Sequence, residues 1–461
     1  MSTGSASRRT VLAAAVALTA TAAAASAASA GERAATSPAR GRAPRHPAGA
    51  DSVEYHGWYT ADAFAAGEAE GTAVADGAFP ALVIDSPAGV TEYTDPHTGR
   101  KADWEYARWT SPEHRPAVPG SELIASWNAE TPAGTWLRVE AQARYTDGGT
   151  SPWYTMGVWA SGDADIRRTS VDDQSDGHTS VFTDTLAVTS GAGDLRMASY
   201  RLRVTLHRAP GSGATPRVWR VGAMTSDVPD RFEVPASVPG PATGVELPVP
   251  RYSQNVHVGR YPEYDNGGEA WCSPTSTQMI LEYWGRRPTP EDLAWVNPEY
   301  DDPQVCHAAR HTYDYQYTGC GNWPFNTAYA ATYPEMRGVV TRLGSLTDAE
   351  VLVEAGIPLI TSQSFREDEL DGAGYGTAGH LMTVIGFTED GDVIANDPAS
   401  RDNEAVRHVY PRRQWENIWL RTKRYDADGK VLGGTGGVCY VLFPARPSSR
   451  QRRALRRFGI C

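Results

Sequence analysis

Apolar and polar positions alternate with period two through much of the first half of the chain. In WLRVEAQARY the residues Leu137, Val139, Ala141, Ala143 and Tyr145 are separated by Arg138, Glu140, Gln142 and Arg144. YRLRVTLHR repeats the pattern with Tyr200, Leu202, Val204 and Leu206. A strand patterned in this way buries one face and wets the other. Residues 51–228 are therefore expected to form an antiparallel β-sandwich of jelly-roll type.

The pattern breaks at a proline-rich join, residues 229–247, whose composition disfavours regular structure and predicts a stiff, extended spacer. Beyond it, across 248–445, helical and strand signals mix. In WCSPTSTQMILEYWG, Met279, Ile280, Tyr283 and Trp284 recur at helical spacing, predicting one buried face. Ser273 is a candidate cap and Pro274 suits a first helical turn. In AGHLMTVIGFTEDGDVIANDPAS, Leu381 to Phe387 and Val393 to Ala395 read as strands, and TEDGD between them as a hairpin turn. The expected fold class is thus multidomain: the sandwich first, then a domain mixing helices with an antiparallel sheet.

The two termini have different chemistry. Arg8 and Arg9 precede an Ala-rich run and a small-x-small site ending at Ala30, which together predict an export signal over 1–30, of twin-arginine type. The run is shorter than the roughly 18 to 20 apolar residues that span a bilayer, so a secreted mature chain is expected. Residues 31–50 read as a disordered linker. The last stretch, 446–461, is basic and reads as a solvated tail. A net charge of -12 and a pI near 5.4 argue against a nucleic-acid binder, whose domain would normally carry a basic face.

An oxidising compartment changes how the cysteines are read. Of five, Cys306 with Cys320 and Cys439 with Cys461 form the simplest disulfide set, leaving Cys272 alone, although other connectivities stay open. Cys306, His307, His311 and Cys320 match no common structural zinc spacing. Neither a metal nor a cofactor is expected.

Cys272 sits where the helix should begin, and unpaired N–H groups there favour a thiolate. Its base is sought in the hairpin, which brings His380, at the start of one strand, close to Asp397, at the end of the other. His380 can take the thiol proton while Asp397 orients the imidazole. Asn396 is the rival for that orienting role, since adjacent side chains on a strand point to opposite faces. Gln254, in VPRYSQ, is either an ordinary loop residue or an oxyanion donor acting with the Cys272 backbone N–H.

VPRYSQ, WCSPTSTQMILEYWG, and GHLMTVIGF with IANDPA resemble, in this order, the papain-fold cysteine peptidases of the bacteriocin-leader-processing type, family thirty-nine of the cysteine peptidases. The resemblance covers roughly 247–444. It implies a papain-like α+β domain with Gln254 as oxyanion donor, Cys272 as nucleophile, His380 as base and then acid, and Asp397 as orienting carboxylate. Ser273 departs from the glycine usual after the nucleophile. The leader substrate of transporter-fused members is not carried over.

Such a set performs acyl transfer, most simply peptide hydrolysis through an acyl-enzyme, on a polypeptide or a peptidoglycan peptide. A transamidase would use the same residues. A different class, a carbohydrate or cell-wall binder, is raised by Trp127, Trp136, Trp153 and Trp159 in the sandwich region, which also suit a packed core.

Overall fold

The computed structural model describes residues 52–426 and 428–461. The expected export signal and the linker after it lie outside these residues. The chain is multidomain and rich in antiparallel sheet.

Two sheets occupy the first half. One orders the strands Thr179–Phe182, Thr185–Val188, Glu122–Glu130, Arg217–Asp227, Ala81–Ile84 and Thr72–Ala75, with Ser52–Trp58 also paired to Arg217–Asp227. The other orders Glu68–Glu70, Lys101–Thr110, Met197–Arg208, Thr135–Tyr145 and Tyr154–Trp159, with Gly89–Thr94 also paired to Lys101–Thr110. The two period-two segments pair with each other, Leu202 opposite Ala141, Val204 opposite Val139 and Leu206 opposite Leu137. Their apolar residues therefore share one face, and all are buried in the main core. Arg138 and Glu140 point the other way.

The tryptophans offer no exposed platform. Trp127, Trp136 and Trp159 are fully buried, and the Arg203 guanidinium covers Trp153 at 4.3 Å. Large rings bury more area than any alternative filling of this core.

The proline-rich join is docked rather than free-standing. Gly240 N and Ala242 N donate to Glu350 Oε2 at 2.7 and 3.1 Å, and Ser237 N donates to Glu416 Oε1 at 2.9 Å. Glu350 and Glu416 project from the helices Leu346–Glu354 and Arg412–Leu420, and Arg412 binds Glu350 at 2.8 Å. Prolines supply no N–H, so the N–H groups left between them find carboxylates instead of a ladder. Val245–Glu246 then pairs with Phe387 and Gly386.

The second half is built on a seven-stranded sheet ordered Met336–Arg342, Val438–Pro444, Leu359–Phe365, Thr377–Phe387, Val393–Asn396 and Arg407–Tyr410, with Val245–Glu246 added beside Thr377–Phe387. The helix Cys272–Tyr283 packs on the strand Thr377–Phe387 and against the helices Pro303–Thr312 and Trp323–Thr332. Every residue from Ser273 to Leu281 is buried, so the helix lies inside the domain rather than presenting one apolar stripe. Most of its polar side chains tolerate this because they are hydrogen-bonded, Ser273 to Tyr440, Ser276 to Leu381 O, Thr277 to Asn326 and Gln278 to Glu282.

The halves share a core. Phe325 lies between Trp127 and Trp159, with centroids at 6.0 and 5.3 Å. Asn128 Nδ2 donates to Gly338 O at 2.6 Å. Gly338 also lets its strand lie close to the helix Trp323–Thr332, since a Cβ there would come within 2.6 Å of Thr327 O. The basic C-terminal stretch is also anchored: Ser448 caps the helix Ser449–Arg457, and Ala454, Leu455 and Ile460 are buried. Apolar residues at helical spacing between the arginines give it a face to bury. Among the described residues no helix is long and apolar enough to cross a membrane.

Candidate active site

Cys272 is the first residue of its helix, two positions earlier than a cap at Ser273 allows. Trp271 occupies the cap position without a side-chain bond to the first-turn N–H groups, and its indole Nε1 donates instead to Tyr264 O at 2.6 Å. Ser273 instead lies inside the first turn, its Oγ 2.9 Å from Tyr440 OH. Pro274 costs nothing at the third position, because the first four N–H groups of a helix have no internal acceptor. The loop leading in is pressed against Gln254: a Cβ on Gly268 would sit 2.1 Å from Gln254 O, so only glycine fits.

His380 comes from the strand Thr377–Phe387, opposite Gln363. The returning strand ends with Asn396 opposite Thr383, and the next residue turns its side chain to the imidazole. His380 Nε2 lies 2.9 Å from Asp397 Oδ1. Cys272 interacts electrostatically with the same imidazole, and with Nε2 engaged by Asp397 the free ring nitrogen is Nδ1. Burial by itself would lower the His380 pKa, but the Asp397 charge and hydrogen bond, helped by Cys272, push it up to about 10. Burial would raise Asp397, but the His380 charge and the surrounding donors hold it at about 2.

Asp397 is fully engaged. Its Oδ1 also accepts Ala399 N at 2.9 Å, and its Oδ2 accepts Tyr375 OH at 2.8 Å and Tyr410 OH at 2.9 Å. Neither tyrosine is signalled by the sequence: Tyr375 belongs to a Gly-rich run and Tyr410 to a strand paired two strands away. Asn396 faces elsewhere, its Nδ2 donating to Pro250 O at 3.1 Å.

Gln254 is tied to both parts of the site. Its backbone N donates to Pro398 O at 2.8 Å, next to Asp397, and its Nε2 donates to Glu269 O at 2.6 Å, three residues before Cys272. One amide hydrogen remains for another acceptor. The four expected residues are thus brought into one neighbourhood by two loops and a hairpin.

The other cysteines stay outside it, and all five are unpaired. Neither expected disulfide is formed. Cys306 Sγ lies 3.5 Å from His257 Nδ1, while Cys320 Sγ turns to Ala309 O at 3.5 Å. Cys439 sits in mid-sheet between Thr341 and Thr361, whereas Cys461 lies beside Arg220 of the first half. His307 and His311 stack at 3.9 Å, and the described residues contain no group of three or more side chains arranged to hold a metal.

Two family models match the chain. Residues 54–226 match the peptidase C39 N-terminal domain, and residues 246–427 match the peptidase C39-like family. A solved structure from Bacillus anthracis, described as a C39-like peptidase, is similar at 18% identity and a TM-score of 0.26, covering 44% of this chain and 98% of that one. No curated protein matches. With one match on each side of the proline-rich join, the chain belongs to the C39-like peptidases, a family of cysteine peptidases.

Proposed function

We propose that this protein is an exported cysteine peptidase that hydrolyses peptide bonds with Cys272, His380, Asp397 and Gln254. The observation that carries the reading is the buried His380–Asp397 pair, 2.9 Å apart, with Cys272 close enough to raise the His380 pKa further. Export rests on the Arg8-Arg9 pair and the apolar run to Ala30. In this reading 51–228 is a β-sandwich accessory domain, 229–247 a linker, 248–445 a papain-like α+β domain and 446–461 a basic terminal segment.

His380 holds its proton at neutral pH and sets a positive charge beside the sulfur. Cys272 Sγ attacks the scissile carbonyl, and the oxyanion is received by the free amide hydrogen of Gln254 and the Cys272 N–H at the helix start. Collapse breaks the C–N bond as His380 passes its proton to the leaving amine. Water then adds to the thioester with His380 as base, which releases the acid and restores the thiolate beside protonated His380. Asp397, held by two tyrosines and Ala399 N, keeps Nε2 engaged so that Nδ1 always faces the sulfur.

The test is mass-spectrometric profiling of new peptide termini in a secretome incubated with the protein or with Cys272→Ser. New termini are expected with the wild type alone. Identical profiles would overturn the proposal.

A further inference from the structure

A cavity of about 270 Å³ opens on the six-stranded sheet of the first half, on the face that turns away from the main core. The second half packs on the other sheet, against the strands Glu122–Glu130 and Arg217–Asp227, so this cavity is separate from the site around Cys272. Its walls carry a set of charges that do not balance. Arg203 is bound by Glu140 through two hydrogen bonds of 2.7 and 2.6 Å. Arg108 meets Glu70 at 2.9 Å and Glu92 meets Lys101 at 2.7 Å. Arg138 meets no carboxylate among the described residues, and its Nε is buried without a hydrogen-bond partner.

The aromatic groups of the cavity point to a ligand as well. His207, 3% exposed, stacks on Trp136 with centroids 3.6 Å apart and planes at 3°, and Tyr93 meets Trp136 at 4.7 Å. His207 Nδ1 and Arg108 Nε are buried without partners of good geometry; only the Thr205 backbone gives the His207 ring marginal support. Burial, followed by the charges of Arg138 and Arg108, keeps this imidazole neutral. The cavity therefore presents one positive charge without a carboxylate, the half-buried Arg138 whose guanidinium lies 6.0 Å from the Trp136 ring centre, and buried nitrogens of Arg138, Arg108 and His207 that are costly to leave unpaired.

We propose that this cavity is a binding site for a small monocarboxylate, held by Arg138. A carboxylate brings one negative charge and two oxygens that match the guanidinium fork. A dianion such as phosphate would leave an uncompensated charge close to Glu92 and Glu140. The volume falls below the usual range for drug-sized ligands, which suits a carboxylate on a body no larger than one amino-acid residue or one sugar ring.

Calorimetric titration of the full chain tests this with N-acetylglycine, which represents a peptide C-terminus, and with glucuronate, which represents an acidic sugar. Saturable binding of at least one, at one site per chain, is expected, and the tighter of the two identifies the source. N-acetylglycinamide, of equal size and no charge, should not bind. R138Q should weaken binding about tenfold or more and leave turnover at Cys272 unchanged. R138K keeps the charge but loses the fork, so it should also bind more weakly, and it decides the matter if R138Q does not fold. The proposal is overturned if neither carboxylate binds, if the amide or inorganic phosphate binds as tightly, or if the folded Arg138 variants bind as the wild type does.

Discussion

His380 Nε2 and Asp397 Oδ1 stand 2.9 Å apart with both side chains buried, at 5% and 1% exposure. Taking two charges out of water is costly, and this pair offsets that cost only because each finds further partners. Its dependence on pH follows. The His380 pKa rises from 6.5 to about 10 on folding, so its contribution to stability is complete below about 6.5 and is lost as pH rises through about 10. The Asp397 pKa falls from 3.8 to about 2, so its contribution is complete above about 3.8 and is lost as pH falls through about 2. Asp397→Asn should therefore cost about 3 kcal/mol near pH 5, with the gap to wild type narrowing towards pH 10. Urea unfolding at several pH values measures it, and a gap independent of pH would show that the pair is not ionised.

Tyr375 and Tyr410 should act through Asp397. Each hydroxyl gives Oδ2 a hydrogen bond of 2.8 or 2.9 Å, and a bond to a charged group contributes about 1.5 to 3 kcal/mol. Tyr375→Phe and Tyr410→Phe should each lower kcat by about tenfold, with KM little changed. The double variant should lose more than either alone. Wild-type kcat in the double variant would show that the carboxylate needs no such support.

Gln254→Ala should reduce kcat by about 10² to 10³, the loss typical of a single oxyanion donor, while leaving the alkylation rate of Cys272 nearly intact. That separation distinguishes a donor to the oxyanion from a residue that merely props up the loop carrying Glu269. If kcat does not fall, the oxyanion is received elsewhere.

The thiols should differ sharply towards iodoacetamide. Burial pushes Cys306 up to about 12, and it also raises Cys320, Cys439 and Cys461. Cys272 is part-exposed and lies beside the His380 charge. At pH 6 the native protein should gain one label quickly, at Cys272, and His380→Ala should slow it. Once denatured without reductant, all five cysteines should take label, as no disulfide is present. Slow or unselective labelling of the native chain would count against Cys272 as nucleophile.

Several features of the protein are legible in its sequence because they depend on neighbours along the chain. Period-two alternation places Leu137, Val139 and Ala141 on one face whatever the strand pairs with, and the TEDGD turn returns the strand carrying His380 antiparallel to the one ending at Asn396. A two-strand hairpin brings its ends together by local geometry, so His380 and Asp397 could be named as partners. The tertiary structure alone decided what depends on distant segments. Asp397 keeps Asn396 as a rival until Pro250 takes the amide of one and Tyr375 and Tyr410 take the carboxylate of the other. Cysteine counting suggests pairs, but Cys439 lies in mid-sheet and Cys461 beside Arg220, and spacing along a chain says nothing of such separation. The proline-rich join reads as a spacer until Glu350 and Glu416 are brought to its N–H groups. Hydrogen-bond partners supplied by other elements, from 13 to 146 residues away, leave no local periodicity, and that is why the sequence could nominate the candidate groups but not the side chains that hold them.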